Sequence, residues 1–422
     1  MEKINPNPEE IKEAPKLQSL DVKGREIRGL EPKVERFSPL KEGDDFTVLL
    51  RNKNLISTPP AEDEIIFVDP VGGAEERVVE APHWRAASKD GVKAVFQGSS
   101  LKDYFYTANV KGVGYLKPTL KGGRKFNKYD DWKRTDEYGF KGAYGLAEED
   151  DFIDGKENIV EKSSRLIGEG FRTECYGVVA KLKNVYYQGK ITPIKELKNK
   201  KIIPASKKFE PHIGVRYLKL NNRVEEVKES GFDRARELFE RAFNVFNKEV
   251  KDKGLQFPEI KLGDRLGEEI FFKEFFARMG GNLGIMQNEG LICWHLHASN
   301  ITLAAEIVDI GPIMTLKAFK DKGDEEVADK FEGIAIGFLK DMRDVSYALK
   351  FLINSGEAQG MSIGDKIDLL KAFLTAYKSR LQSRQANLYG ACEKILKAVL
   401  IEGRQLAGLK HGTPKDWGIN FK

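Results

Sequence analysis

The stretch that decides the reading runs from Leu291 to Ile313, LICWHLHASNITLAAEIVDIGPI. Asn300 and Asp309 stand nine residues apart in it, with apolar Ile301, Leu303, Ile307 and Val308 between them. That pattern suits two short strands joined by a turn at Ala304–Glu306, which brings both side chains to one end. An amide oxygen beside a carboxylate oxygen suits a hard divalent cation. For this pair taken alone, the competing explanation is an ordinary hairpin with a surface Asn and Asp.

Working outward, the residues before this stretch are helical. FDRARELFERAFNVFNKEVKDKG sets Phe232, Ala235, Leu238, Phe239, Ala242 and Phe246 at three- and four-residue spacings, and GEEIFFKEFFARMGGNLG forms a second helix. After about residue 325 the helical pattern resumes almost without a break to residue 410. Its apolar stripes, Ile367, Leu370, Phe373 and Tyr377, then Leu388, Ile395, Leu396 and Val399, read as a bundle seam. Between about 46 and 224 the runs are β-like: FTVLL (46–50), EIIFV (64–68), VKAVF (92–96), VGYLK (113–117), YGVVAKL (176–182) and IGVRYL (213–218). One helical pattern interrupts them, ENIVEKSSRLIGEG (157–170), with glycines as stop signals. Residues 1–45, rich in Pro, Glu and Lys, read as an extended or partly ordered arm. The expected plan is α+β and two-lobed: a β-rich lobe over 46–224 with one key helix, a helical lobe over 225–324 carrying the metal-binding loop, and a helical extension over 325–422.

The 422 residues leave room for two or three units at roughly 100–200 residues per domain. With 70 Lys and Arg against 65 Asp and Glu, the net charge of +5 gives no whole-chain reason to expect nucleic acid or a membrane surface. The basic insertion 186–211 carries its two tyrosines at one end, so it reads as a solvated hairpin and not as a base-stacking platform. Cys175, Cys293 and Cys392 are widely spaced and form no CxxC pair, which signals neither zinc nor a disulfide framework. MEKINPNPEEIKEAPK has no apolar core for a secretory signal, and no apolar run approaches the ~20 residues of a membrane span. A reducing, cytoplasmic setting is expected. The long excursion at 122–145 is a candidate contact for an acceptor protein.

Protein kinases share this two-lobed plan, and in them a catalytic loop ends in an Asn, with an Asp-x-Gly on the next turn; both side chains present oxygen to Mg²⁺. Asn300 and Asp309 fit those places. The kinase base, five residues before the Asn, corresponds here to His295, which is either a substitute base or a structural residue between Trp294 and Leu296. His297 reads as a brace whose ring bonds the backbone. Lys117 fits the strand lysine that contacts nucleotide phosphates. Glu161, in the single helix of the first lobe, is its expected partner, with Glu157 one turn earlier as the alternative.

From about residue 90 to 320 the order of these features resembles the selenoprotein O family, pseudokinase-like enzymes that transfer AMP from ATP to protein hydroxyls. YLKPTLKGGRKF is similar to the family's lysine strand and following loop, and ENIVEKSSRLIGEGFRTECYGVV to its helix before a strand. IGVRYLKLNNRVEEV carries the Arg, six residues, Arg pattern at Arg216 and Arg223, and LICWHLHASNITLAAEIVDIGPI matches the metal loop. The resemblance implies an inverted ATP whose outer phosphates are held by Lys117, Arg216 and Arg223, with Mg²⁺ or Mn²⁺ on Asn300 and Asp309. Alone, the two arginines read equally as surface cations. The expected function is ATP-dependent adenylylation of Ser, Thr or Tyr hydroxyls on an acceptor protein. A kinase-type phosphotransferase and a nucleotide-binding pseudokinase scaffold without catalysis are the alternatives.

Overall fold

The computed structural model describes residues 40–57, 80–83, 86–99, 101–112, 120–121, 124–125, 149, 152–154, 157–187, 190–200, 210–229, 232–293, 295–315, 317–318, 334–355, 361–382 and 388–406. The expected strands at 64–68 and 113–117, all of the 122–145 excursion except residues 124–125, and residues 1–39 of the arm lie outside them. The architecture is mixed α+β: an antiparallel sheet, then helices, an order compatible with the two-lobed plan.

The sheet is built from β1 (Phe46–Arg51), β2 (Leu55–Ser57), β3 (Glu80–His83), β4 (Ala86–Gln97), β5 (Lys102–Lys111), β6 (Cys175–Leu182) and β7 (His212–Leu218). Their order is β1-β6-β7-β5-β4-β2, with β3 also paired to β4. The runs at 46–50, 92–96, 176–182 and 213–218 are thus strands, as expected. β5 is a central strand that the sequence reading passed over. Residues Phe105 to Lys111 are all buried, so β5 lacks the in-out alternation that marks a half-exposed strand. The basic insertion is more than a hairpin: strands 184–187 and 190–193 pair, and a short helix, α2 (Ile194–Asn199), follows.

Helix α1 (Ile159–Gly168) starts where Asn158 accepts the Glu161 N–H at 2.9 Å. It buries Ile159, Val160, Ser163, Leu166 and Ile167. Beyond the sheet come α3 (Val224–Glu229), α4 (Phe232–Lys253), α5 (Arg265–Asn288), α6 (Ile334–Ile353), α7 (Ile363–Arg380) and α8 (Tyr389–Leu396). Among the described residues after 325 the expected helical pattern is present as α6, α7 and α8, with a π-helical turn at Lys397–Ile401 continuing the last. The α7 start is fixed by a capping box between Ser362 and Asp365.

One buried cluster gathers Phe96, Phe105, Val110, Val178, Ala180 and Val215 on one side of the sheet. A larger cluster takes Tyr176 and Val179 from the sheet and runs through α1, the 301–310 hairpin and the C-terminal helices. Helices α5 and α7 run in the same direction and touch backbone to backbone, with Gly280 over Phe373 and Gly284 over Tyr377. Among the described residues no helix is long and apolar enough to cross a membrane.

Candidate functional site

The Leu291–Ile313 stretch folds back on itself. Strand β8 (Leu291–Cys293) pairs with β9 (Ile313–Thr315), and residues 298–300 form one 3₁₀ turn. The expected hairpin is present but shorter than two strands: one bridge joins Ile301 to Ile307, and Thr302 N–H bonds the Glu306 carbonyl at 2.9 Å. The Val308 N–H donates to the Asn300 carbonyl at 2.9 Å, so Asn300 and Asp309 belong to adjoining turns, as the spacing implied. Asp309 has φ +59°, a left-handed conformation that costs a non-glycine residue energy and persists where its surroundings hold it.

Three neighbours hold it. The Ile310 N–H donates to the buried Glu174 carboxylate at 3.1 Å. Lys162, on α1, donates to the Gly311 carbonyl at 2.9 Å, and burial pulls its ammonium down to about 8. Segment 172–174 lies alongside the hairpin, with the Ile307 N–H on the Arg172 carbonyl and the Thr173 hydroxyl on the Ile307 carbonyl. Residues 219–222, between β7 and α3, close the other side. The Glu306 carboxylate accepts the Lys219 N–H at 2.8 Å and the Leu220 N–H at 3.3 Å, while the Leu303 N–H reaches the Asn222 carbonyl at 2.8 Å.

The cations come from the sheet. Register places Asn109 opposite Arg216 and Lys111 opposite Gly214 in the β5–β7 pair, so Asn109, Lys111 and Arg216 share one face. The Lys111 ammonium lies 3.2 Å from an Asp309 carboxylate oxygen. Arg216 bonds Asn109 at 2.7 Å and Glu174 at 2.6 Å. Burial alone would lower its guanidinium, but Glu174 outweighs that and holds it above the ordinary arginine value. Arg223, bridged through its backbone to Thr302, is buried to 2% exposure. Burial and then the like charge of Arg216 push it down to about 10. Neither arginine is a surface cation: both are buried, Arg216 within reach of the Asp309 charge and Arg223 against Thr302, which removes that alternative.

Other expectations fare differently. Lys117 lies outside the described residues, and Lys111 is the described lysine whose ammonium meets the Asp309 carboxylate. The carboxylate that engages Arg216 is Glu174; Glu161 is exposed, and Glu157 binds Arg165 at 2.8 Å. His297 does not bond backbone through its ring: Nδ1 meets the Ser299 hydroxyl at 2.5 Å. The reason is local, since the 3₁₀ turn folds Ser299 back over the ring. The backbone carbonyl of His295 accepts the Asn300 side-chain amide at 2.8 Å, while burial lowers the affinity of its own ring for a proton. All three cysteines are buried and free.

No protein-family model and no curated protein matches this chain. The chemistry must therefore be read from the donors. Among the described residues no group of three or more His, Cys, Asp or Glu side chains converges as a metal cage. Asn300 and Asp309 offer two oxygen donors, with Asp309 40% exposed at its side chain. That set fits Mg²⁺, which is held by one or two protein oxygens and completes its shell with water and substrate phosphates.

Proposed function

We propose that this chain is an ATP-dependent nucleotidyltransferase on a two-lobed, kinase-like fold that places AMP on a Ser, Thr or Tyr hydroxyl of an acceptor protein. The observation that carries the reading is that Lys111 and Arg216 face Asp309 while Arg223 lies buried against Thr302 of the same 300–309 stretch. Cations beside a partly exposed carboxylate suit a metal–triphosphate better than a neutral ligand. The resemblance to the selenoprotein O family supports the direction of transfer, and the cytoplasmic setting belongs with the same proposal.

In this reading Asn300 and Asp309 hold Mg²⁺ or Mn²⁺, which when bound offsets charge on the triphosphate. Lys111, Arg216 and Arg223 hold the outer phosphates, and Lys117 remains assigned to them by the resemblance. Asn109 and Glu174 fix the Arg216 fork, so little rotamer freedom is lost when phosphate arrives. The acceptor oxygen attacks the α-phosphorus as its bond to the bridging oxygen breaks. Pyrophosphate leaves with the electron pair, and the hydroxyl proton passes to solvent.

The test is incubation with α-labelled and, separately, γ-labelled ATP. Label on protein from the α position alone is the expected result. Label from the γ position alone replaces the proposal with a phosphotransferase, and no label from either leaves a pseudokinase scaffold.

A further inference from the structure

A second polar cavity is lined by none of Lys111, Arg216, Arg223, Asn300 or Asp309. It opens where the start of β5, the approach to β6 and helices α4, α5 and α7 meet. Its acids are already committed. The buried Glu249 is shared by Arg172 at 2.5 Å, Lys253 at 2.9 Å, Arg278 at 3.1 Å and Lys219 at 3.6 Å. Asp103 is shared by Lys219 and Lys253, each at 2.7 Å. Glu274, the remaining acid of the lining, faces Arg278 at 3.6 Å.

The cations outnumber what these acids neutralise. Burial pulls Arg278 down, with Arg172 the next cause, and burial pulls Lys219 down in spite of Asp103 and Glu249. The depression of Arg278, which touches two carboxylates, thus comes first from burial and next from the like charge of Arg172. Arg380 adds one more cation at the exposed C-terminal end of α7 and forms no ion pair among the described residues. Its guanidinium stands over Gly170, whose φ of +83° turns the chain into the cavity wall.

Donor capacity points the same way. Arg172 is spent, with two nitrogens on Glu249 and Nε on the Ala304 carbonyl at 2.6 Å. Lys253 and Arg278 line the cavity with side chains 24% and 16% exposed. Arg380 keeps its whole fork.

We propose that this cavity binds a small phosphate-bearing anion, with Lys253, Arg278 and Arg380 as its ligands. An arginine fork and an ammonium match the several oxygens of a phosphate dianion, whereas a single carboxylate would leave part of the charge uncompensated. The site stands independently of the nucleotide reading. It touches that site through Arg172, whose side chain and backbone both bond the 302–307 hairpin.

Calorimetric titration of the whole chain with inorganic phosphate, and separately with pyrophosphate, tests this against chloride at equal ionic strength. Saturable binding is expected, retained in Asp309→Ala and weakened tenfold or more in Arg380→Ala; the tighter of the two probes identifies the free ligand class. Arg380 is exposed at a helix end, so its variant keeps the fold, and Lys253→Met gives a second reading with the same expected loss. Absence of saturable binding overturns the proposal. So does binding that both variants leave unchanged, or binding that disappears only in Asp309→Ala.

Discussion

Alanine at Gly280, Gly281 and Gly284 tests how the helical part is held together. At Gly284 the added Cβ would lie 2.6 Å from the Tyr377 carbonyl oxygen and 2.7 Å from the Arg380 Cβ. At Gly280 it would run into the carbonyl group and Cα of Phe373, all backbone atoms that cannot swing aside. Carbon contacts settle near ~3.5–4.0 Å, so α5 and α7 must part by roughly 1 Å at either position. Overpacking of that kind costs about 1–3 kcal/mol, against about 0.5–1 kcal/mol regained from the better helix former. The net expectation is a loss of about 1–2 kcal/mol at both sites. At Gly281 nothing lies within 4 Å of the new methyl, so only the propensity gain remains and the variant should be more stable than wild type. Urea denaturation reads the difference as a shift of midpoint at constant slope. Equal midpoints for the Gly280 and Gly281 variants, or a stable Gly284→Ala, would refute the close helix contact.

Asp309→Ala should abolish label transfer while leaving the denaturation midpoint near wild type, because the carboxylate is partly exposed and its role is coordination; near-normal transfer would remove it from the site. Lys111→Ala should raise the ATP concentration needed for half-maximal transfer at least tenfold, and an unchanged value would leave the phosphate role elsewhere. Glu174→Gln strips a fully buried arginine of its counter-charge and should cost about 3–5 kcal/mol, so a midpoint near wild type would contradict the Arg216 pairing. Burial pushes Glu306 up to about 6 from 4.5, so the native state takes up its proton first. Its contribution to stability is complete below pH 4.5 and is lost as pH rises through 6, a difference of about 2 kcal/mol. Relative to Glu306→Gln, wild type should therefore lose stability across that window, and parallel stability–pH curves would exclude the effect.

Much of the plan was legible from periodicity. The three- and four-residue spacings over 232–246 give α4, and the runs at 46–50, 176–182 and 213–218 give β1, β6 and β7. The strand β5 is hidden because burial on both faces erases alternation, and its polar Thr107, Asn109 and Lys111 are buried against Asp90, Arg216 and Asp309, partners that a local pattern does not carry. Lys111 was passed over with it. The VGYLK that follows has the more strand-like local pattern, and only the β5–β7 register shows Lys111 on the same face as Arg216. The Asn300–Asp309 interval survived because it is local: nine residues and a tight turn fix the separation. Glu174 left no signal, since its partners are distant in sequence and its neighbours Thr173 and Cys175 suggest only a strand start. The left-handed φ at Asp309 and the Ser299–His297 bond are equally invisible before the chain is folded.

The central claim is that the 300–309 turns and the cations beneath them grip a metal-bound triphosphate. Electron paramagnetic resonance of Mn²⁺ in the presence of ATP measures this directly, by the loss of the free-ion signal as protein is added. One Mn²⁺·ATP bound per chain in wild type, and none in Asp309→Ala of equal folded content, is the predicted result. Equal binding by the two proteins, or no binding by either, would contradict the account.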